Sequence, residues 1–165
     1  MKNRVRTVLA FFGYLTWSKA TNLLKLWFSF HCSWFGKRPV SWGLPTTLSI
    51  EPTTSCNLRC PECPSGLRSF TRPTGMLQPE LYQKIIDEAS GHLTWLHLYF
   101  QGEPFLHPGF LDLVKYADGK GIFTSTSTAS GSKETAAMGA SDIPGSSICT
   151  RPLRMKRRNF SQTGA

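Results

Sequence analysis

The order of elements around one cysteine run limits most strongly what this chain can become. Residues 47–51, Thr-Leu-Ser-Ile-Glu, alternate like a strand. A cysteine-bearing loop follows over residues 52–76. Pro79 suits the first turn of a helix. Leu81, Ile85 and Ala89 then fall at i, i+4 and i+8 on one helical face, and Gly91 is placed as a stop. Residues 94–100 are β-branched, aromatic and aliphatic, which predicts a second strand. After Pro108, the residues Phe110, Leu113, Val114 and Ala117 make another helical face, closed by Gly119 and Gly121. Residues 122–126 read as a third strand. The resulting β-loop-α-β-loop-α-β order implies parallel strands joined by crossovers. Ligands in such folds gather at the C-terminal ends of the strands. The cysteine loop and the segment 101–107 both fall at that end.

Charge divides the chain into zones. The 165 residues carry 19 Lys+Arg and 10 Asp+Glu, a net charge of +9. Residues 1–50 hold seven basic and no acidic side chains, residues 51–128 six and eight, and residues 129–165 six and two. The positive charge therefore belongs to the two ends. The centre is slightly acidic, so the basic total is not the footprint of specific nucleic-acid binding. Hydrophobic residues make up 40% of the chain, enough for a core. Five cysteines are too few for a disulfide scaffold of this length. No run of ~18 uncharged apolar residues marks a membrane span.

Residues 1–45 read as an amphipathic helical extension. Val5, Val8, Leu9 and Phe12 follow one helix face, and Leu23, Leu26, Trp27 and Phe30 repeat it. Lys2, Arg4, Arg6, Lys19 and Lys25 punctuate the same stretch. Two readings stand: the apolar face packs on the rest of the protein, or the basic, aromatic helix makes a peripheral membrane contact. The apolar stretch 8–15 runs on into Trp17, Ser18 and Lys19 without a small-residue cleavage site, unlike a cleaved signal peptide. Gly36 and Pro39 end the helical pattern. At the other end, 19 of the 24 residues from 124 to 147 are Ser, Thr, Gly, Ala or Pro. Residues 129–165 are expected to form a low-complexity, basic, disordered tail. The core is expected over residues 46–128.

Cys56, Cys60 and Cys63 give C-x3-C-x2-C in the run Cys-Asn-Leu-Arg-Cys-Pro-Glu-Cys. Three thiols within eight residues, after a strand, can converge on one centre. Soft thiolates select zinc, copper(I) or iron–sulfur clusters. Clusters usually take four cysteines, and here the local count is three. An open metal position suits a substrate or cofactor. A structural zinc ion would need a fourth ligand from His31, Cys32, His92, His97, His107 or Cys149, none of which sits at a usual paired spacing. Cys32 reads as a small apolar residue and Cys149 as a free thiol.

The cysteine run, together with Ile50-Glu51-Pro52-Thr53-Thr54-Ser55 before it and Gly102-Glu103-Pro104 after it, resembles the radical S-adenosylmethionine (radical SAM) superfamily. Within that superfamily it is most similar to the branch whose members often carry a C-terminal SPASM domain. The resemblance covers roughly residues 40–128. It implies a partial (βα) barrel of the α/β class, about two and a half βα units long. It implies that Cys56, Cys60 and Cys63 hold three irons of a [4Fe-4S] cluster, and that S-adenosyl-L-methionine chelates the fourth. It implies one-electron cleavage of that cofactor to methionine and a 5′-deoxyadenosyl radical, which abstracts hydrogen from a substrate. The loop Gly102, Glu103, Pro104 is expected to bind the cofactor's methionine amino group. An electron donor such as flavodoxin or ferredoxin and a peptide or small-molecule substrate follow from the same resemblance, and the oxygen-sensitive cysteine ligands, with no secretion signal visible, lead to the expectation of a cytoplasmic location. The alternative is a non-catalytic zinc- or cluster-binding interaction module.

The chain departs from the family in two ways. The common form has two glycines before the glutamate, and here Gln101 takes the first position. A radical SAM domain has about six βα units, and no such pattern follows residue 128. The expectation is a truncated or frame-shifted version of a longer enzyme, with little turnover by itself. Tyr99 and Phe100 are expected in the interior, His97 as a satisfied structural histidine and His107 as a helix-start group. Arg59 and Arg68 are expected as exposed loop charges.

Overall fold

Four strands form one parallel sheet in the computed structural model, which describes residues 11–60, 62–67, 69, 71, 73–128 and 146–150. The elements in chain order begin with α1 (Trp17–Gly36), β1 (Thr47–Ser49), α2 (Pro64–Leu67) and α3 (Pro79–Ala89). Then come β2 (Trp95–His97), a 3-10 turn (Pro104–Leu106), α4 (Phe110–Gly119), β3 (Phe123–Thr128) and β4 (Ser146–Thr150). The strands lie side by side in the order β1-β2-β3-β4, all parallel. Leu48 pairs with Leu96, and Leu96 with Thr124. Helices lie in the β1-to-β2 and β2-to-β3 crossovers, so the sheet and these connections are of the α/β kind read from the sequence.

Local signals account for most boundaries. Pro79 takes the first turn of α3, where its missing N–H costs nothing. Thr16 caps α1 by accepting the Lys19 N–H. Lys37 ends α1 in the left-handed region at φ 50°, just after Gly36. His107 holds the start of α4, as expected. Its Nε2 donates to the Leu77 carbonyl at 3.0 Å and its Nδ1 accepts the Gly109 N–H at 3.2 Å.

The main core lies between the sheet and α3 and α4. Tyr82 and Ile86 from α3 meet Leu96, Leu98 and the α4 residues Phe110, Leu113, Val114 and Ala117. Each fully buried side chain of this size stabilises the fold by ~1.5–3 kcal/mol. The Tyr82 hydroxyl donates to the Leu113 carbonyl at 2.8 Å, tying the two helices together. This corrects the expected face of α3: Leu81 is 53% exposed, while Tyr82 and Ile86, one position on, are fully buried. Ile85 and Ala89 are half-buried at the flank.

The opposite face of the sheet is aromatic and polar. Trp95 and Phe123 are register partners with ring centroids 4.8 Å apart, and Phe11 adds its ring to both. Beyond them, Ser125 accepts from Trp95 Nε1 at 2.8 Å and lies 2.7 Å from His97 Nδ1. His97 is thus satisfied within the sheet, as expected. Tyr99 is half-buried, but Phe100 is 68% exposed and is not an interior residue.

Two further corrections concern the Ser/Thr-rich end. β3 runs on to Thr128, beyond the expected stop at residue 126, and Thr124, Thr126 and Thr128 are buried. Threonine is β-branched and suits a strand, and each hydroxyl is satisfied, Thr126 by the Leu98 carbonyl at 3.1 Å. β4, at 146–150, pairs in parallel with β3 inside the stretch expected to be disordered. The rest of that tail, the expected helix face at 5–9 and Arg68 lie outside the described residues.

The first helix also differs from expectation. Trp27 and Phe30, on the face read either as packing on the protein or as meeting a membrane, are 54% and 61% exposed and do not pack. The buried side of α1 carries Lys19, Asn22 and Ser29 instead. The Lys19 amine donates to the Gly121 carbonyl. The Asn22 amide bonds Leu44 through both its carbonyl and its N–H, at 2.9 and 2.8 Å.

Candidate metal and cofactor site

Two loops leave the C-terminal ends of β1 and β2 and meet. The first is residues 50–63 and carries the three cysteines. The second is residues 98–103 and ends on Glu103. The Glu51 carboxylate joins them by accepting the N–H groups of Gln101 at 3.2 Å and Gly102 at 2.9 Å. The Ser55 carbonyl accepts the Glu103 N–H at 2.9 Å. The Ser65 hydroxyl, from α2, donates to the Gln101 carbonyl at 2.8 Å. Thr53 and Thr54 fasten the same loop to the Gly75 main chain.

The glycines mark where backbones touch. A Cβ on Gly102 would stand 1.7 Å from the Thr53 carbonyl oxygen, which no side chain can do. A Cβ on Gly66 would stand 2.4 Å from the main-chain N and O of Cys60. Gly66 therefore lets α2 close onto the cysteine loop, and Gly102 lets the two loops meet. Gln101 joins the network through its main chain, which fits a non-glycine residue at that position.

The three thiols sit half-buried, and none is in a disulfide. Burial pushes the Cys56 thiol up from its ordinary value, and negative charge on Glu103, Cys60 and Cys63 pushes the same way. Cys63 is shifted down, chiefly because it accepts the Gly66 N–H, with Ser65 assisting. Its thiolate is the better stabilised of the two. Arg59 is exposed, as expected.

Glu103 is only 3% exposed, and Pro104 after it is buried. The Thr128 hydroxyl, at the end of β3, donates to Glu103 Oε1 at 2.5 Å. Three strand ends therefore meet here: β1 brings the cysteines and Glu51, β2 brings Glu103, and β3 brings Thr128. Sequence reasoning assigned no role to Glu51, Ser65 or Thr128. Glu51 stood beside the motif and gave some signal. Thr128 lies in a run of Ser and Thr and gave none.

The donor set is soft and thiol-rich, and its loop is hydrogen-bonded to the loop that carries the buried Glu103 carboxylate. That composition fits an iron–sulfur cluster with a ligand at an open position. A single ion would need three donors drawn to one point. Among the described residues no three His, Cys, Asp or Glu side chains are so placed.

An α/β protein with a thiol-rich site at the C-terminal edge of a parallel sheet is the class these features define. No family model matches the chain. Over 83 residues it is 34% identical to the tungsten-containing aldehyde ferredoxin oxidoreductase cofactor-modifying protein of Pyrococcus furiosus, covering 49% of this chain and 23% of that protein. Over 89 residues it is 28% identical to the PqqA peptide cyclase of Bradyrhizobium diazoefficiens, covering 53% and 23%. The solved structure of BtrN in an open conformation has a similar fold, with a TM-score of 0.50 at 15% identity over 67% of this chain and 58% of that one. Over this partial stretch the chain is related to the radical SAM superfamily, of the SPASM type. It spans about a quarter of the length of these curated relatives, 23% in each case.

Proposed function

We propose that this chain is the cluster- and cofactor-binding part of a radical SAM protein. The observation that carries the reading is the joining of the cysteine loop after β1 to the loop of the buried Glu103 after β2, through the Glu51 carboxylate and the Ser55 carbonyl. Cys56, Cys60 and Cys63 would each hold one iron of a [4Fe-4S] cluster, leaving one iron for S-adenosyl-L-methionine. The sequential strand order supports a partial (βα) barrel, whose strand ends are where such a site belongs.

When bound, the pair supplies one-electron cleavage of the sulfonium, giving methionine and a 5′-deoxyadenosyl radical that takes hydrogen from a substrate. The protein's own part is placement. Gly102, Glu103 and Pro104 would hold the cofactor's methionine end, with the carboxylate as acceptor for its amino group. Thr128 fixes the carboxylate from behind, and Glu51 fixes the main chain. Pro104 and the buried strand ends exclude water. The electron would come from a flavodoxin- or ferredoxin-like donor. The thiolates are oxygen-sensitive, which favours the cytoplasm. The substrate, a peptide or a small molecule, would be met by parts of a longer protein.

Anaerobic reconstitution of the full chain with iron and sulfide tests this. About four irons and four sulfides per chain are expected, with loss in Cys60→Ala. The cluster's electron paramagnetic resonance signal should shift when S-adenosyl-L-methionine is added. Tight zinc without sulfide would replace this reading with the interaction module. Absence of both metals from a folded chain would end both.

A further inference from the structure

We infer that the outward face of α1 seats in the plane of an anionic lipid surface. The helix is built the opposite way round from one that packs on a core. Its protein-facing positions Lys19, Asn22 and Ser29 are polar, and all three bond to main-chain groups. Its outward positions carry Trp17, Leu24, Trp27, Phe28, Trp34 and Phe35, which are 54% to 84% exposed. At 3.6 residues per turn, these six occupy roughly one third of the circumference. A stripe of this size exceeds the scattered apolar residues of an ordinary surface.

The chemistry around the stripe selects the occupant. Residues 1–50 contain seven basic side chains and no acidic one. Lys25 on α1, and Lys37 and Arg38 just beyond it, are exposed. Trp and Phe on one side with Lys and Arg beside them match the boundary between acyl chains and anionic headgroups. Among the described residues no helix is long and apolar enough to cross a membrane. The face would therefore lie along the surface. The cysteine loop belongs to other elements, so this inference stands apart from the cluster reading.

The test is flotation of the full chain with vesicles of phosphatidylcholine containing one third phosphatidylglycerol, and with phosphatidylcholine alone. Tryptophan quenching by brominated lipid is read alongside. Flotation with the anionic vesicles, weakened by high salt, is expected, with quenching of the exposed tryptophans. The triple variant Trp27→Ser, Trp34→Ser, Phe35→Ser should bind about tenfold more weakly while keeping its unfolding midpoint, since all three side chains are outside. An unchanged affinity of the variant would overturn the proposal. So would equal binding to the two vesicle types, or no flotation and no quenching of the wild type. A wild-type dimer that the triple variant converts to a monomer, with no lipid binding, would assign the stripe to a second copy. If the variant fails to fold, quenching of the wild type decides alone.

Discussion

The Glu51 carboxylate accepts the Gly102 N–H at 2.9 Å, so the end of β1 holds the loop that leaves β2. This side chain, together with the Ser55 carbonyl and the Ser65 hydroxyl, holds the cysteine loop against the loop that ends on Glu103. Replacing Glu51 by Ala leaves the N–H groups of Gln101 and Gly102 without this acceptor. The expected cost is ~2 kcal/mol, that of a charge-assisted bond at a half-buried site. Hydrogen exchange at the Gly102 amide should accelerate. Unchanged exchange there would deny Glu51 this role.

Gly102→Ala should be more damaging than its size suggests. The new Cβ would meet the Thr53 carbonyl oxygen at 1.7 Å, so one loop must move. A loss of more than ~2 kcal/mol is expected, in the range of other strained backbone positions. Cluster content after reconstitution should fall with all three cysteines still present. Wild-type stability in urea would show that the loops do not touch as described.

Lys19 gives a test through pH. Its amine is buried against the Gly121 carbonyl, and burial lowers its pKa from the ordinary 10.5. Between the lowered folded value and 10.5 the unfolded chain binds more protons than the folded one. The Lys19 contribution to stability therefore rises with pH across that window. Lys19→Met removes the titration. The difference between wild type and variant in urea unfolding should shift toward the wild type as pH rises toward the ordinary 10.5. A difference independent of pH would mean that the amine is solvated.

Asp87 joins α3 to the end of α4 through the Lys120 amine at 2.6 Å and the Tyr116 hydroxyl at 2.9 Å. The hydrogen bond from Lys120, assisted by Tyr116, holds the Asp87 carboxyl below its ordinary 3.8. Its contribution is present above that value and is lost as pH falls through the depressed one. Asp87→Asn should therefore matter at neutral pH and cease to matter in strong acid. The pair is exposed, so salt should shrink the effect. Thermal unfolding at pH 7 and pH 2, with and without added salt, checks both statements.

Tyr82→Phe removes the buried hydroxyl that donates to the Leu113 carbonyl at 2.8 Å. The ring stays, so packing is kept and the loss is that of one hydrogen bond, ~1 kcal/mol. A fall of several kcal/mol in urea unfolding would point to a packing role beyond this bond.

The sequence was most legible where a local pattern carried the physics. Pro79, Gly91 and the period of Phe110, Leu113, Val114 and Ala117 announce helices, because capping and amphipathicity are properties of neighbouring residues. It was less legible where polar residues do interior work. Thr124, Thr126 and Thr128 look like the start of a flexible tail, yet they are buried in β3 with their hydroxyls bonded. The apolar pattern selects Leu81 over Tyr82, because periodicity fixes the spacing of a face and not its rotation. For α1, polarity is turned around: Lys19 and Asn22 face the protein because carbonyls of distant segments await them.

By itself the sequence determined the alternation of strands and helices, the parallel sheet that this alternation implies, and the thiol-rich loop after the first strand. These follow from short-range spacing. Only the tertiary structure decided that Glu51 and Gly102 bind the two loops, that Thr128 reaches Glu103 across 25 residues, and that α1 turns its aromatic side outward. Those relationships join residues far apart in the chain. They depend on which strand ends lie side by side and which backbone groups are left to satisfy once the sheet has formed.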